Sequence, residues 1–118
     1  MKGKFLLFLM TFGLLSSNLA SAAILCSGTV VNSYISRSGV LTIRGDWRGD
    51  YTAICNVKGD SVVDSVTCSH WASMIHAAMT NNMEIWIRYE LGDSSVTCSN
   101  LKTYGGAPTP SYVMLPKT

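Results

Sequence analysis

Close cysteine pairs are missing from this chain, histidine is scarce, and no cations are clustered. The four cysteines, Cys26, Cys55, Cys68 and Cys98, never lie two to four residues apart, the spacing that structural zinc sites use. His70 with Cys68 is at most half of such a site, so no metal is expected. The only two histidines, His70 and His76, are six apart, about 240° around a helix axis, and share no face. No Gly-x-Ser-x-Gly is present. Glu84 and Glu90 are about 20 Å apart at strand rise, too far for a glycosidase pair. A nucleophile, base and orienting group within reach of one another are therefore not found, and no catalytic residue and no cofactor is expected.

Long apolar runs are also lacking. Phe5 to Leu15 is apolar for only about 11 residues, whereas a membrane span needs about 20. It follows Lys2 and Lys4 and leads to Ala20-Ser21-Ala22, the order of a secretory signal peptide. Residues 1–22 are read as that leader, and 23–118 as a single disulfide-stabilised domain, secreted or periplasmic. A lipid anchor on Cys26 is disfavoured because Leu25, not a small residue, precedes it. Lysine and arginine number nine against seven acidic residues. Lys2 and Lys4 leave with the leader, so the mature part balances at seven and seven. Nucleic-acid binding needs clustered cations that release counterions, and is not expected.

An even cysteine count in a small exported chain reads as a disulfide framework, with three connectivities open. Three β-rich segments come first: Thr29–Ile35, Val40–Arg44 and Tyr51–Val57, separated by glycine-containing turns of hairpin type. Val62-Val63 could add a short strand piece between its flanking aspartates. The period then changes. Trp71, Met74, Ile75, Ala78 and Met79 form one helical stripe, with Ser65 or Thr67 to cap its start and Asn81-Asn82 to stop it. Met83, Ile85, Ile87, Tyr89 and Leu91 then alternate with Glu84, Trp86, Arg88 and Glu90, the mark of a strand buried on one face. Ser95–Leu101 is read as a fifth strand and Ser111–Leu115 as a last edge strand. Three strands, a helix and two strands is the order of an OB-fold-like five-stranded barrel, mainly β with one helix, β1-β2-β3-α-β4-β5. An open α+β sandwich is the competing arrangement.

Arranged so, the chain resembles the receptor-binding B subunits of AB5 toxins, of the cholera and heat-labile enterotoxin or subtilase and typhoid toxin type. The resemblance is carried by Ile24-Leu25-Cys26, by the helix followed by Met83–Tyr89, and by Thr97-Cys98-Ser99-Asn100 with the return at Pro110–Met114. It implies pairing of Cys26 with Cys98, leaving Cys55 with Cys68, and a homo-oligomer, a pentamer in that family. The second disulfide departs from the cholera pattern. So does Asn100, which stands where the cholera type has a sugar-stacking tryptophan, and that site is not carried over.

The most conspicuous local feature is Arg44-Gly45-Asp46-Trp47-Arg48-Gly49-Asp50-Tyr51, two Arg-Gly-Asp copies each followed by an aromatic. Presentation to an integrin is one reading; a hairpin turn, where Gly and Asp belong by conformation, is the favoured one. Trp47, Arg48 and Tyr51 at a loop tip, and Trp86 on the wet face of its strand, are the binding candidates, suited to a cell-surface glycan or protein. The expected function is a non-catalytic binding module, in its narrower form a glycan-recognising B-type toxin subunit. A monomeric periplasmic structural or inhibitor protein is the alternative.

Overall fold

The computed structural model describes residues 22–117. The proposed leader at 1–22 therefore lies outside the described residues, except Ala22. Among the described residues no helix is long and apolar enough to cross a membrane. The chain is mainly β with one helix, in the order β1 (Ala22–Gly28), β2 (Val30–Ile35), β3 (Val40–Gly45), β4 (Thr52–Asn56), α1 (Ser65–Thr80), β5 (Ile85–Leu91) and β6 (Tyr112–Met114).

These strands form two three-stranded antiparallel sheets, β1-β5-β6 and β2-β3-β4. The closed five-stranded barrel is corrected on two counts. Ala22–Gly28, read from sequence as leader end and cysteine approach, is a full strand paired along its length with β5, from Ala22↔Leu91 to Gly28↔Ile85. Ser95–Leu101 is not a strand. Asp93 Oδ1 accepts from the amide and hydroxyl of Ser95, and Asn100 accepts from the Thr97 amide while donating to the Ser95 carbonyl. Side chains thus take the polar backbone groups that a ladder would have used, and the segment turns instead. The loop beyond it returns to the second sheet through a parallel bridge between Thr52 and Tyr104.

One extended segment feeds both sheets. Only Thr29 separates β1 from β2, and there the chain leaves β5 and joins β3. The corner is held by Asp46, whose amide donates to the Thr29 carbonyl (2.9 Å) and whose Oδ1 accepts from the Thr29 amide (3.1 Å). Gly28 has φ +149°, and a Cβ there would strike the Asp46 carboxylate, so the bend needs glycine.

Alternation in β5 buries Ile85, Ile87 and Tyr89 in one core with Leu41, Ile43 and Ile54 of the other sheet. Helix α1 packs on β2, β4 and β6 and contributes Cys68, Trp71, Ile75 and Ala78 to this core, with Met74 and Met79 at its margin. Its cap is Asp64, not Ser65 or Thr67: Asp64 Oδ1 accepts from the Thr67 amide at 2.7 Å, and that bond holds its carboxyl below the usual range. At the other end Asn82 adopts φ +51°, the Asn82 amide donates to Met79 O and the Met83 amide to Ala78 O. This is the Schellman pair of bonds, made possible by an asparagine that tolerates the left-handed region. Val62 and Val63 form no strand; their amides both donate to Asp60 Oδ1.

The cysteines form two disulfides, Cys26–Cys98 and Cys55–Cys68, with Cα atoms 5.6 and 5.8 Å apart. The first ties β1 to the turn-rich loop after β5; the second ties β4 to α1. Closing a loop of 72 residues limits the unfolded chain more than closing one of 13. Replacing Cys26 and Cys98 by serine should cost about 4 kcal/mol, and the Cys55/Cys68 pair about 3 kcal/mol. Urea denaturation of the two double variants checks both the losses and their order.

Candidate binding face

The outer face of β2-β3-β4 gathers the tyrosines. Tyr34 leaves β2 opposite Thr42 of β3, and Thr42 faces Ala53 of β4. Tyr51 enters β4 just before Thr52. The ring centroids of Tyr34 and Tyr51 are 5.8 Å apart, tilted by 57°, and those of Tyr51 and Tyr104 are 5.9 Å apart and nearly parallel at 22°. Thr42, in the strand between Tyr34 and Tyr51, is only 3% exposed. The outer rings remain open, Tyr34 at 44% and Tyr104 at 50%. The Arg44 guanidinium lies 5.7 Å from the centre of the Tyr51 ring, a cation–π arrangement.

Backbone bonds fix Tyr104 in this row. Its amide donates to Tyr51 O (2.8 Å), and its carbonyl accepts from the Ala53 amide (3.1 Å). Its φ of +50° is costly for a bulky side chain, and Gly106 completes the turn by donating to Thr103 O. Strain of this kind persists only where neighbouring contacts hold it, and here the contacts hold an aromatic ring outward.

The four residues singled out from sequence do not form one site. Tyr51 is the centre of the tyrosine row. Trp47 is half-buried and lies flat on Gly45, where any Cβ would enter its ring; it also approaches Gly28 and packs on the rim of the core. It is a corner piece. Arg48 is half-buried, and its Nε and Nη1 are shielded from solvent without a hydrogen-bond partner among the described residues. Trp86 belongs to the other sheet's outer face, with Nε1 donating to Glu84 Oε1 at 2.8 Å. Tyr34, Tyr104 and Arg44 were not candidates from sequence. The strand phase of Tyr34 was the one available sign; Tyr104 reaches the row only through the bridge to β4.

The first Arg-Gly-Asp copy is occupied internally, and so is the carboxylate of the second, whose Arg48 is half-buried. Arg44 covers Tyr51, Asp46 holds Thr29, and Asp50 Oδ1 accepts from the Tyr51 amide at 2.8 Å. Beneath them Tyr89 is 1% exposed, and burial, opposed by the Thr52 hydroxyl and the Arg48 charge, pushes its phenol up to about 12. A cleft of about 400 Å³ lies between the loops after β5, lined by Leu91, Val96 and Pro108 with Lys102 at its side. The Asn100 amide beside it is spent on the turn. Among the described residues no cluster of His, Cys, Asp or Glu is placed to hold a metal.

Trp47→Ala should destabilise the fold by about 2 kcal/mol through lost burial. Gly45→Ala should be far milder in that background than alone, since the ring it would strike is gone; a double-mutant cycle in urea measures the coupling. Tyr89 makes a separate prediction. An unfolded tyrosine ionises near 10.0, so the unfolded chain loses this proton first as pH rises. Its contribution is complete below pH 10 and is lost as pH rises through about 12. Thermal melts across that window should fall less steeply for Tyr89→Phe than for the parent.

No family model, curated protein or solved structure matches this chain.

Proposed function

We propose that the chain is a secreted or periplasmic, non-catalytic binding module that takes a glycan across its row of tyrosines. The observation that carries this reading is the Tyr34–Tyr51–Tyr104 row itself, with ring spacings of 5.8 and 5.9 Å and Arg44 on its central ring. A pyranose ring has an apolar C–H face that gains dispersion contact on an aromatic ring, while its hydroxyls need polar partners at the rim. Phenol hydroxyls and a forked guanidinium donor supply these. The row is shallow and open, which suits a chain of sugars more than a small enclosed molecule.

Aromatic rows also stack single-stranded bases, but such surfaces run beside a groove of several cations. Here the row carries Arg44, and Asp50 flanks Tyr51. A B-type toxin subunit is the narrower form of the glycan reading, supported by the sequence patterns around Cys26, Met83–Tyr89 and Cys98 alone. The two disulfides agree with an oxidising compartment.

A glycan-array screen of the oxidised protein, followed by calorimetry with the best oligosaccharide, tests the proposal. Tyr34→Ala and Tyr104→Ala should each weaken binding by about tenfold, given roughly 1–3 kcal/mol for one aromatic stacking contact. Lys102→Ala, in the cleft after β5, should leave it unchanged. Retention of no glycan, or affinity indifferent to both tyrosines, would reject the reading. Preferential binding of an oligonucleotide would replace it.

A further inference from the structure

The second outer face, on β1-β5-β6, is built differently from the tyrosine row. Its inward residues, Cys26, Ile85, Ile87, Tyr89 and Val113, are core. Outward, Trp86 stands between Ser27 of β1 and Met114 of β6, and Arg88 stands between Leu25 and Tyr112. Leu25 is 44% and Met114 38% exposed, which leaves a mixed apolar surface around a tryptophan. Its charges are incompletely matched within the chain. Arg88 Nε is shielded and has no partner among the described residues, and the Glu90 carboxylate is 3.9 Å from the Arg88 guanidinium. Glu84 uses Oε1 to accept from Trp86, leaving its second oxygen for another donor.

We infer that this face pairs with the same face of a second copy of the chain, about a two-fold axis passing at Trp86. The self-complementary charge order selects a second copy as occupant, and charge order together with the place of Trp86 selects the register. From the residue before β5 onward, the outward residues read Glu84, Trp86, Arg88, Glu90. An axis lying in the interface, perpendicular to β5 and across Trp86, sets Arg88 of each copy against Glu84 of the other. An isologous contact makes every such pairing twice. Moving the axis to Ile87 opposes Glu84 with Glu90, and moving it to Arg88 opposes the two guanidinium groups; like charges placed so repel. An axis at Tyr89 would also pair opposite charges, Arg88 with Glu90, but it sets Trp86 against Gly92 and puts the charges at the centre. Only the axis at Trp86 pairs opposite charges around an apolar centre. The same axis puts Trp86 and Met114 at the centre of the contact, the apolar core with a charged rim that stable interfaces have. Sheets stacked face to face lie about 10 Å apart, a gap that large side chains from both sides fill. The tyrosine row stays free, because it belongs to the other sheet.

Sedimentation equilibrium of the oxidised protein at high micromolar concentration should give a mass of two chains. Glu84→Arg alone and Arg88→Glu alone should each sediment as one chain, since each places like charges together in the pair. An equimolar mixture of these two variants should return to two chains. In the mixed pair, one variant carries arginine at both positions 84 and 88, and these face the glutamates that the other carries at 88 and 84. Far-ultraviolet circular dichroism confirms that each variant is folded. A parent protein that stays single, or that forms five chains, overturns the inference. So does a mixture of folded variants that remains monomeric.

Discussion

At Gly28-Thr29 a single extended segment stops pairing with β5 and starts pairing with β3, and the rest of the fold depends on how that corner is held. A backbone making that change exposes unpaired polar groups, and Asp46 takes them with both its amide and its carboxylate. Trp47 then lies over Gly45 and closes the corner from outside. Two glycines are required there for lack of room, and the aspartate for hydrogen bonding. The first Arg-Gly-Asp copy and the aromatic after it are therefore structural, apart from Arg44, whose side chain turns out to the tyrosine row.

That corner sets the division of the surface. Because β1 and β2 belong to different sheets, the molecule has two outer faces with separate chemistry. One carries phenols and a guanidinium stacked on a ring; the other carries a tryptophan, a methionine and alternating charges. The disulfides support parts that the small core cannot hold unaided. Cys26–Cys98 anchors the loop after β5, which folds by side-chain-to-backbone bonds and not by a ladder. From that loop the chain runs to Tyr104 and its bridge to β4, so the outermost ring of the row depends on a staple at its base.

Strong local periodicity was readable. The helix stripe and the alternation of Met83–Leu91 correspond to α1 and β5, and Asn82 at the helix end adopts the left-handed conformation that asparagine tolerates. Ala22–Gly28 was not readable as a strand, since its small and apolar residues carry no alternation, and its pairing with β5 is long-range. Ser95–Leu101 misled in the opposite sense. Its Val, Thr and Cys suit a strand, but Asp93 and Asn100 at its ends compete for the backbone. Of the candidate site, only Tyr51 was found. Trp47 looked like a displayed aromatic because local sequence does not report the bare glycine surface beneath it.

By itself the sequence determined the class of the molecule: one helix among strands, an even set of cysteines, a small net charge without basic clusters. These follow from periodicity, residue chemistry and counting, which are local or additive. Only the tertiary structure decided which sheet each half of residues 22–35 joins, that the strands stop short of a closed barrel, and that Tyr34, Tyr51 and Tyr104 meet. The reason is that pairing partners and shared faces depend on contacts between distant segments. A period of two tells which side chains point together along one strand, but not which other strand lies beside them.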